Sequence, residues 1–180
     1  MYQSGQGNRA RNRRLIGRGA TVVALAIIAA LQSWRGCSLE EIQRPPLPEG
    51  HYEVRRVVDG DTLLMQDRKR VRLMGVDTPE TVKEDTPVQP WGPEATVFTR
   101  EFVESGEVRL QFDRERLDRF GRYLAYVWVG DRMLNEELLR AGLARWEQGY
   151  HYSQSMKNRF RKAQREAQQA KRGIWSGRDR

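Results

Sequence analysis

In the run Arg72-Leu73-Met74-Gly75-Val76-Asp77-Thr78-Pro79-Glu80-Thr81, an alternating segment ends in a knot of polar side chains at a Thr-Pro bend. Over Arg70–Val76, the residues Val71, Leu73 and Gly75 alternate with Arg72, Met74 and Val76, which predicts a strand. Asp77 and Glu80 flank the bend just beyond its end. Carboxylates gathered there repel one another unless a cation or an arginine compensates them. A hard divalent cation is the economical explanation, because carboxylate and carbonyl oxygens suit calcium.

Upstream lies Val58-Asp59-Gly60-Asp61-Thr62, two carboxylates in a tight turn between predicted strands Tyr52–Val58 and Thr62–Met65. Alone, Asp-Gly-Asp is ordinary hairpin chemistry. Downstream, Glu107–Phe112 alternates and Tyr123–Val129 is a more continuous apolar run, making five strand candidates. Asp118-Arg119-Phe120-Gly121-Arg122 leads into the last of these and sets Arg122 at its start. An arginine opening a strand is by itself a solvent-facing or ion-paired residue. Acidic metal ligands together with two arginines describe a phosphodiester site.

Helices interrupt and follow the strands. Gly92-Pro93-Glu94 opens one that should close at Ser105-Gly106. Asn135–Ala141 is predicted with Asn135 as its cap and Gly142 as its stop. The last, Ser153–Arg172, places Met156, Phe160, Ala163, Ala167 and Ala170 on one stripe. Lys157, Arg159, Arg161, Lys162, Arg165, Lys171 and Arg172 occupy its other faces, with Glu166 the one acid among them. No internal repeat is visible. Five short strands, with one helix before the fourth and two at the end, predict a mainly β, α+β fold: a small barrel with helices packed on it.

The chain has 180 residues, 32 Lys+Arg, 24 Asp+Glu, one cysteine and two histidines. That length suits one domain with an appendage. A single cysteine excludes a disulfide framework, and so few Cys and His exclude the usual zinc sites. A charged fraction of 31 % argues against a multi-span membrane protein. Of the net charge of +8, residues 1–50 hold 7 Arg less 3 Glu, or +4, and residues 51–180 hold the other +4. The main body is therefore only mildly basic, and a polyanion site must come from local placement of charge.

Half of the excess sits in an address-like segment. Arg9, Arg11, Arg13, Arg14 and Arg18 precede the apolar stretch Ala20–Leu31, whose 12 residues are too few for a spanning helix. This predicts export, with residues 1–37 as a signal or an uncleaved membrane anchor and the arginines on the cytoplasmic side. Residues 38–50, with Pro45, Pro46 and Pro48, read as a linker.

Residues 51–176 resemble the thermonuclease family, the staphylococcal-nuclease-like domain. The landmarks are Val58–Thr62, Arg72–Thr81, Trp91-Gly92-Pro93-Glu94-Ala95, Asp118–Tyr126 and Gly173-Ile174-Trp175-Ser176, in the family's order and spacing. The resemblance implies a five-stranded OB-fold barrel with three helices, followed here by a tail at 177–180. It also implies a calcium-dependent, monomeric nuclease acting on DNA and RNA and leaving 3′-phosphate ends. By position, Asp61 and Asp77 match calcium-ligating carboxylates, and Thr78 matches the residue offering a backbone carbonyl. Glu80 matches the general base that positions water, and Arg72 and Arg122 match the arginines that clamp the phosphate. Substrate contacts fall on Arg119, Phe120 and Tyr150.

The chain departs from the family pattern at the substrate grip. Phe120 stands where Tyr is usual, Arg119 where Lys is usual, and Gln148 in place of one of two pocket tyrosines. Phe120 is expected to keep its ring packed while losing a hydroxyl toward phosphate. Asp59 shares the motif without being an expected direct ligand. Trp91, Trp128, Trp146 and Trp175 are expected to pack. The rival readings are an OB-fold module that binds nucleic acid at a membrane without cutting it, and a tethered scaffold whose basic face touches anionic lipid. Retention of all five catalytic-type side chains favours the enzyme.

Overall fold

The computed structural model describes residues 47–81 and 87–177. The expected signal or anchor at 1–37, most of the linker, and residues 178–180 of the tail lie outside the described residues. Eight strands occur among them: β1 (Gly50–Asp59), β2 (Thr62–Met65), β3 (Arg70–Leu73), β4 (Val76–Asp77), β5 (Glu107–Gln111), β6 (Tyr123–Val129), β7 (Arg132–Met133) and β8 (Arg145–Trp146). The helices are α1 (Gly92–Phe102), α2 (Leu134–Ala141) and α3 (Gln154–Gln169), followed by a 3-10 turn at Gly173–Trp175.

The large sheet runs β3-β2-β1-β5-β6-β7, and a parallel pairing of β3 with β6 closes five of these strands into a barrel. One long strand makes this economical. The first residues of β1 pair with β5, and those from Val54 onward pair with β2. Register shifts between Val54 and Arg56 and between Val57 and Asp59 bend it from one partner toward the other. Closure leaves no free edge on the barrel's main strands. Leu63, Val71, Leu73, Leu110, Leu124 and Val127 are buried in the core. The OB-fold expectation holds, with β4 and β8 forming a small separate ladder beside the barrel.

Several boundaries differ from the sequence pattern, for local reasons. The strand expected to run to Val76 stops at Leu73. Gly75 takes φ 73, and a Cβ there would stand 2.8 Å from atoms of Phe160 and Tyr152. The chain turns where the apolar alternation continues. α1 ends at Phe102 instead of Ser105, with Val103 as its cap. Asn135 is not a cap: α2 begins at Leu134, and the Asn135 side chain is fully buried. Its Oδ1 accepts from the Val127 N–H at 2.9 Å, and its Nδ2 donates to the Met74 and Ala125 carbonyls at 2.9 and 3.2 Å. On α3, Phe160, Ala163 and Ala167 are buried and Met156 is half-buried, but Ala170 is exposed because the helix has ended. Phe160 packs edge-on against Tyr126, with ring centroids 5.9 Å apart.

Two glycines clasp the far end of the chain to α2. Gly142 (φ 74) and Gly173 (φ 51) approach so closely that a Cβ on Gly173 would lie 2.1 Å from the Gly142 carbonyl oxygen. The Ile174 N–H donates to that same oxygen at 2.9 Å. Only a glycine backbone tolerates both the conformation and the approach.

Candidate active site

The turn from β1 to β2 and the passage from β3 to β4 bring the predicted acids together. Asp61, 3 % exposed, is held from four directions. Its Oδ2 accepts from the Thr78 N–H at 2.9 Å and from Thr78 Oγ1 at 3.0 Å. Its Oδ1 accepts from Thr62 Oγ1 at 3.0 Å and forms an ion pair with Arg72 Nη1. The other guanidinium nitrogen, Nη2, reaches Asp77 Oδ1 at 2.7 Å. One arginine thus bridges a carboxylate from the β1–β2 turn and one from β4. Asp61 is nearly dry, whereas the Asp77 side chain is 56 % exposed and opens the pair to solvent. Arg72 Nε, by contrast, is buried with no hydrogen-bond partner among the described residues. An unmade bond of this kind costs about 1–3 kcal/mol.

Asp59 braces the turn from behind. Its Oδ1 accepts from the Gly60 N–H at 2.8 Å, from Thr81 Oγ1 at 2.6 Å and from Thr96 Oγ1 at 3.3 Å. Burial pushes this carboxyl up. Side-chain hydrogen bonds with Thr81 and Glu80, and backbone N–H groups of Gly60 and Thr81, outweigh it and hold the group below the usual range. Asp59 therefore ties the segment carrying Glu80 to the turn. The Glu80 backbone is fixed in turn by Gln89: its N–H donates to Gln89 Oε1 at 3.1 Å, and its carbonyl accepts from the Gln89 N–H at 2.9 Å.

Arg122 stands just before β6, two residues ahead of Leu124, the register partner of Arg72. Asp118 holds it: Arg122 Nε lies 2.6 Å from Asp118 Oδ2. Asp118 Oδ1 accepts the N–H groups of both Phe120 and Arg122 at 2.9 Å. Sequence reasoning treated Asp118 only as a landmark. An Asp four residues before an Arg across a glycine turn was the available signal for its role in aiming Arg122.

Phe120 does not pack inward as expected. It is 68 % exposed, with the Arg119 and Arg122 guanidinium carbons 4.8 and 5.4 Å from its ring centroid. Tyr150 is half-buried against the core, in the segment between β8 and α3. The bonds joining Asp61, Arg72, Asp77 and Thr78 do not extend to Arg119, Phe120 or Tyr150. Trp128 and Trp146 pack at the core edge as expected, their ring N–H groups donating to Gln111 and Tyr152.

Among the described residues no group of three or more His, Cys, Asp or Glu side chains gathers as a metal-binding cluster. The predicted donor set holds two carboxylates and a backbone carbonyl, so it does not depend on such a cluster. Its chemistry fits calcium: all donors are hard oxygens, and Asp61, Asp77 and Arg72 together carry −1, which favours a cation.

The closed five-stranded barrel is an OB-fold, and the carboxylates and guanidinium groups gathered beside its strand ends suit phosphodiester chemistry. Residues 70–177 match the family described as staphylococcal nuclease homologue. The chain is 47 % identical over 131 residues to a thermonuclease of Staphylococcus hyicus, covering 71 % of this chain and 77 % of that one. It is 43 % identical over 162 residues to a thermonuclease of Staphylococcus intermedius, covering 87 % and 95 %. With Endonuclease YncB of Bacillus subtilis it shares 42 % over 125 residues, 67 % of this chain and 59 % of that one. The chain belongs to the staphylococcal nuclease family.

Proposed function

We propose that this protein is a calcium-dependent nuclease that hydrolyses phosphodiester bonds of DNA and RNA and leaves 3′-phosphate ends. The observation that carries the reading is Arg72, which bridges the carboxylates of Asp61 and Asp77. Asp61, Asp77 and the Thr78 carbonyl hold the calcium ion. When bound, calcium polarises the phosphate and favours hydroxide as the nucleophile.

The chain's own residues supply the rest. Arg72 and Arg122 clamp phosphoryl oxygens and counter the charge that grows in the transition state, a task for which a planar fork suits better than a lysine. Glu80 accepts the proton of the attacking water and fixes its position. Arg119, Phe120 and Tyr150 contact the nucleotide. The nuclease domain spans residues 51–176 and acts as a monomer. The arginine cluster and the apolar stretch that follows it support export, with residues 1–37 as signal or anchor and 38–50 as linker. Among the described residues no helix is long and apolar enough to cross a membrane.

Purified protein incubated with plasmid DNA and with RNA, in calcium and in chelator, tests the reading. Cleavage only with calcium, and 3′-phosphate termini, are expected. Calcium wants about six to eight oxygens, and these three residues supply three, leaving the remainder to water and phosphate. Calorimetry of the substrate-free protein should therefore give a Kd of roughly 10⁻⁴–10⁻³ M. Submicromolar affinity would contradict the donor set.

A further inference from the structure

A cavity of about 280 Å³ opens beside Asp77, walled by Asp77, Pro79, Gln89, Trp91, Arg145 and Ile174 among others. We propose that it is a second nucleotide subsite, receiving the nucleotide next to the scissile phosphate, with Arg145 on its phosphodiester and Trp91 against its base. This rests on the nuclease reading above.

Four observations carry it. First, Asp77 belongs to both places: its carboxylate meets Arg72, and its backbone pairs with Arg145 across the β4–β8 ladder. A strand whose scissile phosphate lies on Arg72 thus reaches the cavity with its neighbouring unit. Second, Arg145 is exposed, and its guanidinium stands over the Trp175 ring, 4.7 Å from the centroid. Among the described residues it forms no ion pair, although Arg72, Arg122, Arg140 and Arg159 each hold a carboxylate. A guanidinium held over an aromatic face without an ion pair has N–H donors available for a phosphate.

Third, Trp91 adopts φ 72, a left-handed conformation rare for a bulky residue. Strain of this kind collects at ligand-binding positions. Fourth, Gln89 spends its Oε1 on the Glu80 N–H, so its amide nitrogen is the donor left for a base edge. The space is several times a water's share of liquid volume, ~30 Å³, and its walls combine aromatic, guanidinium and amide surface. That combination suits one stacked, charged nucleotide. The expected consequence is a preference for bonds flanked by nucleotides on both sides.

The test compares a short oligodeoxynucleotide with a mononucleotide nitrophenyl phosphodiester, which cannot fill the cavity, in calcium. Arg145→Gln should lower kcat/KM on the oligonucleotide about tenfold, chiefly through KM, since a bond to a charged group is at stake. The mononucleotide substrate should stay within twofold. The salt dependence of oligonucleotide cleavage should become shallower by about 0.7 in log–log slope, the value for one phosphate contact on a single strand. Arg145→Lys should keep that slope and most of the rate. Equal losses on both substrates would overturn the subsite and make Arg145 a support for Asp77. Unchanged cleavage of both would overturn it while leaving the nuclease reading intact. A wild-type protein that cleaves neither would overturn both.

Discussion

Asn135 and Arg72 are both buried polar side chains on the same barrel, and their hydrogen bonding is opposite. Asn135 meets the backbone at Val127, Met74 and Ala125 and ties α2 to β6 and to the β3–β4 turn. Arg72 satisfies two of its nitrogens on carboxylates, and its Nε has no partner among the described residues. A fully bonded buried group fixes one structure. A partly bonded one stores free energy that a ligand can recover. The contrast separates scaffold from site without reference to charge alone.

The sharpest way to break the comparison is to alter each member. Arg72→Lys is expected to cut turnover about a hundredfold or more, on the order of 3 kcal/mol of barrier, while the thermal melt still shows a folded domain. Arg122→Lys should behave alike. Steady-state rates within a few-fold of wild type for both would remove the phosphate clamp. Asn135→Ala should do the reverse. It strands the Val127 N–H and the Met74 carbonyl, while the Ala125 carbonyl keeps the Met74 N–H at 2.9 Å, and should lower unfolding free energy by about 2 kcal/mol in urea titrations. Turnover per folded molecule should stay within twofold; a catalytic loss as large as that of Arg72→Lys would erase the distinction.

A smaller effect should appear at Asp113, which the sequence did not single out. Burial pushes its carboxyl up, but hydrogen bonds from Ser153, Tyr126 and the Arg114 N–H outweigh it and leave it below 3.8. With the folded value depressed, its stabilisation is present above pH 3.8 and lost as pH falls through the folded value. Asp113→Asn should cost about 1 kcal/mol at neutral pH and flatten the acid limb of a stability profile. At the other end, burial pushes the Tyr152 hydroxyl up to about 12. A raised folded value gives stabilisation that is complete below pH 10 and lost as pH rises toward 12.

The smallest effect concerns Phe120. Phe120→Tyr should tighten a 3′,5′-bisphosphate inhibitor by roughly 0.5–1.5 kcal/mol, the net scale of one hydrogen bond, without moving calcium affinity. Inhibitor titrations at fixed salt and calcium read this directly. Unchanged affinity would mean that the ring, exposed between Arg119 and Arg122, faces solvent and not phosphate.

The barrel was legible because the alternation over Glu107–Gln111 and the continuous apolar run over Tyr123–Val129 are local signals that tertiary packing did not override. The break at Met74-Gly75 was not, since apolar residues continue through it and only the backbone shows the turn. Asn135 was misread for a related reason. Its type suits a helix cap, whereas its partner Met74 lies 61 residues away. At the site, the acids and arginines could be named from their motifs. That Asp61 is shared by Arg72, Thr62 and Thr78, and that Asp118 aims Arg122, depends on how strands are registered, which no single stretch encodes.

The glycine clasp joining Gly142 to Gly173 bears on when the enzyme can exist as well as on its shape. A polypeptide made from its amino end presents Asp61, Arg72 and Asp77 early, yet Phe160 and the clasp arrive late. Until residue 174 has emerged, the Gly142 carbonyl lacks the N–H that secures the closing segment. A growing chain therefore carries Asp61, Arg72 and Asp77 before the walls that hold them in order have been made.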